Sequence, residues 1–197
     1  MGSADEGSRP AKEQGEILNE TSQVRIHKLL ANVVSSVVVI LLSGAAVLLV
    51  RQLPGHRPTD PWHIGALLAG IVALSVVHET LHAFALMSAA RLRPSSFRFG
   101  IVWEALMPFC HCLQPVRLAH YRFMTLLPLV VTGLLSVALM VEYPSDAMAA
   151  FAGITLGVCT GDVWMCWRLR RFSGDCLALD HPEEIGCDVL PCRQPAR

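Results

Sequence analysis

The sequence HETLH, residues 78–82, places two histidines and a glutamate within one turn of a predicted apolar helix. His78 and His82 are four residues apart, so on an α-helix they project from the same face and can bind one tetrahedral metal ion. Glu79 follows about a third of a turn away, where a carboxylate can hold and deprotonate a metal-bound water. This H-E-x-x-H spacing predicts a Zn²⁺ site with Glu79 as the general base.

The elements that must position these residues are predicted to be transmembrane helices. The chain is 53% hydrophobic and 16% charged, with a mean hydropathy of +0.46, which is more apolar than an ordinary soluble domain of this size. A spanning helix needs about 20 mainly apolar residues. Four stretches qualify, so we expect an all-α polytopic membrane protein whose spans cover about 29–50, 62–90, 123–141 and 147–167.

Besides the residues of HETLH, Asp162 is the one ionisable residue well inside the predicted spans. A charge at membrane depth costs at least about 2.5 kcal/mol, so such a residue needs a partner or a function. The second and fourth spans run in the same direction. Arg91 follows His82 by nine residues and Arg168 follows Asp162 by six, so the two sites differ in depth by roughly 5 Å. Asp162 is therefore the expected third metal ligand, and the alternatives outside the spans are His111, Glu104 and Asp180.

Small residues recur at every fourth position of the fourth span, at Ala149, Gly153, Gly157 and Gly161. Such a ridge lets another helix approach closely. Because Asp162 lies beside it, we expect the ridge to bring the second and fourth helices together. The same ridge could instead serve packing alone, and membrane histidines can also be hydrogen-bonded structural groups or members of a proton relay.

The loop between the second and third spans changes its hydrophobic period. Phe97, Phe99, Ile101 and Trp103 alternate with other residues, which predicts a strand. We interpret the loop as a short β-hairpin at the mouth of the site, whose edge could pair with an extended peptide. The alternative is a loop that only caps the bundle.

The CHC sequence at residues 110–112 suggests a second metal site at first sight. On a strand, however, Cys110 and Cys112 point to one face and His111 to the other, which makes shared coordination awkward. His111 is better interpreted as a polar contact to the substrate or to an oxyanion. The weaker candidates for substrate contacts are Asn32, Phe99 and Ile101.

The arginines and lysines predict the orientation and the domain plan. They concentrate before the first span, in the 91–122 loop and after the fourth span, which by the positive-inside rule places both termini and the site's mouth in the cytoplasm. We expect a disordered tail over residues 1–27, a membrane domain over 28–171 and a C-terminal segment over 172–197 that could form a strand or a short cap. Free thiols are the expected state of the seven cysteines.

Five sequence motifs in order carry a family resemblance. HETLHAF, PFCHCLQPV, LLPL, TGDVW and DHPEEIG, spread over about residues 70 to 190, resemble the bacterial DUF3267 family of "putative zincin peptidases". That family is similar in plan to site-2 proteases, which are intramembrane zinc enzymes. The resemblance implies His78, His82 and Asp162 as zinc ligands and Glu79 as the general base. The site-2 protease motif around the aspartate is Asn-Pro-Asp-Gly, whereas this chain has Thr-Gly-Asp-Val at residues 160–163.

The sequence therefore predicts an integral membrane zinc metallopeptidase that acts on a membrane-associated protein or peptide, and the resemblance implies a bacterial inner membrane. The alternative is a non-catalytic metal-binding membrane protein, such as a sensor, chaperone or assembly factor, that uses the same residues. A third hypothesis is a proton-coupled carrier, which the absence of an internal repeat disfavours. No basic run with interleaved aromatic residues indicates nucleic-acid binding.

Overall fold

The computed structural model describes residues 17–18, 20–58, 61–102, 107–181 and 184–193, and its framework is a bundle of apolar helices. Ser145 caps the fourth helical segment, because its hydroxyl accepts a hydrogen bond from the backbone N–H of Met148. The helices are α1 (Lys28–Val50), α2 (Pro61–Ala89), α3 (Leu118–Glu142), α4 (Asp146–Val158) and α5 (Thr160–Leu169).

Four helices are long and apolar enough to cross a membrane, and they cover residues 28–50, 64–89, 118–142 and 146–169. Their outer faces carry large apolar side chains that are mostly exposed, including Ile40, Val72 and Leu134 at 68 to 70% exposure. Such faces suit a hydrocarbon environment. The predicted spans agree with these helices except at two places. The third helix begins five residues earlier than predicted, and the fourth is interrupted at Cys159, where α4 ends and α5 begins.

The all-α prediction was incomplete, because the described residues also form eight strands at one end of the bundle. They are β1 (Ile17–Leu18), β2 (Ser22–Ile26), β3 (Phe97–Val102), β4 (Met107–Cys112), β5 (Val116–Arg117), β6 (Leu177–Asp180), β7 (Ile185–Val189) and β8 (Cys192–Arg193). The hairpin β3–β4 has the predicted position. An antiparallel sheet of order β2-β7-β6-β5 and a short β1-β8 pair were not predicted.

The four-stranded sheet joins the two ends of the chain. Residues 22–26, which the sequence assigned to a disordered tail, form a strand that pairs with residues 185–189. This strand is short and its partner lies about 160 residues away, so the local sequence did not indicate it. Gly186 adopts a φ of +148°, and a Cβ atom there would lie 2.0 Å from the carbonyl oxygen of Val24. A glycine at this position is therefore what lets the two strands approach.

The small-residue ridge of α4 packs against α1, not against α2 as expected. A Cβ atom on Gly153 would lie 2.4 Å from the Cα of Ser43, and one on Gly157 would lie 2.7 Å from the Cα of Val39. Backbones this close require glycine at the contact. Gly161, by contrast, has open space where its Cβ would be.

A disulfide joins Cys176 to Cys192, with Cα atoms 5.3 Å apart. It connects the approach to β6 with β8, on the same side of the molecule as the sheet. This pair differs from the expectation of free thiols. The two cysteines are 16 residues apart in the chain and become neighbours only when the strands around them pair. The cysteines that are free in the described part of the chain are Cys110, Cys112, Cys159, Cys166 and Cys187.

Candidate metal centre

His78, His82 and Asp162 converge between α2 and α5. The Nε2 atoms of the two histidines are 3.1 Å apart. Asp162 places Oδ2 3.1 Å from Nε2 of His78 and Oδ1 3.6 Å from Nε2 of His82. The two imidazoles are 12% and 9% exposed, so the cluster is shielded from bulk solvent without being sealed.

Hydrogen bonds on the far side of each ring decide which nitrogen faces the cluster. Nδ1 of His82 donates to the backbone carbonyl of Met124 in α3, at 3.0 Å. Nδ1 of His78 faces the thiol of Cys159, at 3.9 Å, and that thiol donates its own proton to the carbonyl of Thr155. His82 therefore carries its proton on Nδ1, and the contact with Cys159 favours the same tautomer of His78, in which both Nε2 lone pairs are directed at Asp162.

In this tautomer two Nε2 lone pairs and the Asp162 carboxylate face one another as acceptors. Two imidazole lone pairs and a carboxylate at this separation repel each other unless a cation lies among them. Nitrogen and carboxylate ligands are those that zinc prefers, and bonds of about 2.0 to 2.2 Å in a tetrahedron imply ligand separations of about 3.3 Å. The two Nε2 atoms are 3.1 Å apart, and each lies 3.1 to 3.6 Å from the nearer of the two Asp162 oxygens, which is close to that edge length. The residues present therefore fit a zinc ion with three protein ligands.

The local structure of the fourth span explains the position of Asp162. Cys159 interrupts the helix, and Asp162 lies in the first turn of α5. A new helix that begins beside α2 directs the first-turn carboxylate toward the histidines, and its dipole favours a negative charge there. The glycine ridge faces α1, yet Asp162 still reaches His78. The ridge therefore does not account for this contact, which coincides with the interruption of the helix at Cys159.

Glu79 lies beside the same cluster. Its carboxylate, with His78 and His82, forms a group whose possible ligand atoms are all within 4.8 Å of one another. Above it lies β4, where Cys110 is close enough for the charge of Glu79 to affect it. Burial, with a smaller contribution from Glu79, raises the pKa of the Cys110 thiol to about 12. The hairpin therefore covers Glu79, as a cap at the mouth of the site.

The structure does not bring His111 to the cluster. It lies across the hairpin from Arg98, its ring 4.5 Å from that of Phe109, and burial lowers its pKa. Because β4 alternates, His111 points away from the face that carries Cys110. It lines a cavity of about 470 Å³ whose other lining residues are Arg98, Phe109, Cys112, Leu113, Leu179 and Asp180.

The remaining candidates lie elsewhere. Asp180 accepts hydrogen bonds from the hydroxyl of Tyr121 and from the backbone N–H of Cys112, so both of its oxygens already have a donor. Asn32 is exposed near the start of α1. Phe99 and Ile101 are 55% and 47% exposed on β3. Glu104 lies outside the described residues.

Sequence reasoning missed Cys159. This thiol is fully buried and, with His78 and Asp162, forms a second group whose possible ligand atoms lie within 4.8 Å of one another. A signal was available, because Cys159 precedes Asp162 by three residues and therefore shares its face on a regular helix. The single continuous helix predicted for this span gave no reason to expect an interruption at Cys159.

Comparison with known proteins identifies a family. Residues 71–177, more than half of the chain, match the DUF3267 family, whose description is "Putative zincin peptidase". No curated protein and no solved structure matches the chain. The matched residues include His78, Glu79, His82 and Asp162.

Proposed function

The chain belongs to the DUF3267 family, and from this premise we propose that it is an integral membrane zinc metallopeptidase. His78, His82 and Asp162 would hold the zinc. The observation that carries the proposal is the convergence of three acceptor groups, two Nε2 atoms and one carboxylate, at separations of 3.1 to 3.6 Å. Imidazole nitrogen and carboxylate oxygen are ligands that zinc prefers, and a cation among them offsets the repulsion of their lone pairs.

The mechanism assigns a separate role to each side chain. A bound zinc ion supplies Lewis-acid chemistry, which lowers the pKa of a ligated water and polarises a scissile carbonyl. Glu79, which lies beside the cluster and is not needed as a ligand, takes the proton of the attacking water and returns it to the leaving amine. The hydrogen bonds to Met124 and Cys159 keep the Nε2 atoms of the two histidines directed at the ion.

The hairpin suggests how a peptide reaches this site. Among the described residues β3 pairs only with β4, so its outer edge is open, and Phe99 and Ile101 are exposed on it. An extended segment of a membrane-associated protein can add to such an edge as a further strand. We therefore propose a substrate that unfolds locally into an extended strand at the sheet end of the bundle.

Metal analysis of purified protein in detergent tests the site. We expect one equivalent of zinc in the wild-type protein, and its loss in His78→Ala and in Asp162→Ala, because two remaining ligands do not hold the ion. His27→Ala is the matched control, because His27 is exposed just before α1 and far along the chain from α2. Wild-type protein without stoichiometric zinc, or full zinc in both ligand variants, would show that the assignment is wrong.

Glu79→Gln separates an enzyme from a non-catalytic metal binder. The variant removes the base and leaves the three ligands, so a peptidase should keep its zinc and lose turnover. We expect a membrane protein to accumulate as an uncleaved precursor in cells that carry Glu79→Gln in place of the wild type, as measured by comparing their membrane proteomes. Identical proteomes under all growth conditions would favour a sensor, chaperone or assembly factor.

A further inference from the structure

Cys159 occupies the junction between α4 and α5, directly behind one of the proposed ligands. Its side chain is fully buried. The sulfur lies 3.9 Å from Nδ1 of His78 and 3.3 Å from the carbonyl oxygen of Thr155, which is also fully buried. The thiol therefore has a polar contact on each side, with His78 and with Thr155.

The direction of these hydrogen bonds follows from the chemistry of the groups. A carbonyl oxygen only accepts, so the S–H of Cys159 must point at Thr155. The sulfur lone pairs are then free to accept the Nδ1–H of His78. This chain of donors and acceptors fixes both the tautomer and the ring plane of His78, in the way that the Met124 carbonyl fixes His82.

We propose that Cys159 is a positioning residue for the metal centre, which holds His78 through an Nδ1–H to sulfur hydrogen bond and is not itself a ligand. This inference rests on the proposed zinc site. Outer-shell partners of this kind orient the ligand, and their removal lowers metal affinity by about 10- to 100-fold. A carboxylate or carbonyl commonly has this role, and here a thiol in an apolar site performs it.

The placement also connects His78 to the third ligand. Cys159 and Asp162 are three residues apart on the segment where the helix restarts, so one short stretch contacts His78 from both sides. Asp162 meets Nε2 at 3.1 Å and Cys159 meets Nδ1 at 3.9 Å. A change at Cys159 should therefore alter metal binding through His78, without removing a ligand.

Zinc affinity of the full-length protein in detergent, measured by competition with a chelator, tests the proposal. We expect Cys159→Ala to bind zinc about 10- to 100-fold more weakly than wild type. Cys159→Ser should recover most of the affinity, because a hydroxyl can accept from Nδ1–H and donate to Thr155. Cys166→Ala is the matched control on α5, since Cys166 is a free, partly buried cysteine outside the cluster. Thermal unfolding of the metal-free variants identifies any change that comes from folding alone.

Cobalt substitution distinguishes this role from direct ligation. A thiolate ligand gives an intense sulfur-to-cobalt charge-transfer band in the near ultraviolet, and we expect none, with identical spectra for wild type and Cys159→Ser. The band in wild type would overturn the proposal in favour of ligation. Unchanged zinc affinity in a folded Cys159→Ala would overturn it in favour of packing. Wild-type protein that binds no zinc would instead contradict the proposed function, so the two failures are distinguishable.

Discussion

His78 and His82 each contact a different helix on the side away from the cluster, and this arrangement shows what single residues contribute. Met124 of α3 holds one imidazole and Cys159 holds the other. The H-E-x-x-H spacing predicted the pair, and a depth argument predicted Asp162. Neither argument considered Cys159, although its spacing of three residues from Asp162 placed it on the same helix face.

Asp180 is the second residue whose position depends on distant partners. Its carboxylate lies at the end of β6, and burial raises its pKa. The Tyr121 hydroxyl from α3 and the Cys112 N–H from β4 compensate for that burial. Asp180 therefore joins the bundle, the sheet and the hairpin that covers Glu79.

Tyr121→Phe should destabilise the protein by about 1 to 3 kcal/mol, since it removes a donor from a buried carboxylate. The loss should be largest at neutral pH and should shrink as the pH falls, because a protonated Asp180 needs the donor less. Burial raises the pKa of Asp180, so the destabilisation should begin to decrease at a pH above the usual pKa of an aspartate.

Unfolding in detergent at several pH values measures the effect. Tyr143→Phe is the matched control, because Tyr143 is the only other tyrosine and is 60% exposed. An equal and pH-independent loss in both variants would contradict a specific role for the Tyr121 hydroxyl.

The packing of α1 on α4 belongs to the scale of the elements. The sequence correctly marked a ridge of small residues, yet the ridge faces α1. Helical periodicity shows which residues share a face, but the partner of that face depends on how four helices are arranged. The interruption at Cys159 likewise depends on that arrangement, since residues 147–167 are apolar enough for one continuous helix.

Gly157→Ala should destabilise the bundle by about 1 to 3 kcal/mol. The added Cβ would lie 2.4 Å from Cγ2 and 2.7 Å from Cα of Val39, so α1 and α4 must separate. Gly44→Ala in α1 is the control, because its Cβ would meet open space. Thermal unfolding in detergent measures both, and the folded fraction of Gly157→Ala should retain zinc, since α1 supplies no proposed ligand. Equal stability of the two variants would argue against close α1–α4 packing.

At the scale of the whole molecule, all described strands are connected to one end of the bundle. The positive-inside rule predicts that this end faces the cytoplasm, because most arginines and lysines lie there. The Cys176–Cys192 disulfide lies at the same end, and disulfides persist mainly in oxidising compartments. The charges therefore predict a cytoplasmic location for this end of the bundle, whereas the disulfide indicates the opposite side of the membrane.

We expect the charges to decide the orientation, because they act while the helices insert. A fluorescent protein that folds only in the cytoplasm should fluoresce when fused after residue 197. A cysteine introduced at Gly55, an exposed residue in the loop after α1, should react with a membrane-impermeant maleimide on intact cells. In that orientation the reducing cytoplasm should open the Cys176–Cys192 bond, so that alkylation in freshly lysed cells labels both residues. The reverse labelling pattern, with the pair protected as a disulfide, would place the sheet outside.

The sequence by itself determined the four apolar helices, the hairpin and the pairing of two histidines with a glutamate, because these depend on composition and on periods within one segment. The sequence also predicted Asp162 as a neighbour of the histidines, since the rise per residue of a helix gives its depth in the membrane. The tertiary structure alone decided the four-stranded sheet, the partner of the glycine ridge, the Cys176–Cys192 pair and the thiol behind His78. Each of these joins residues of different segments, from 16 positions apart in the disulfide to about 160 in the sheet, and such contacts form only when the helices and strands have packed together.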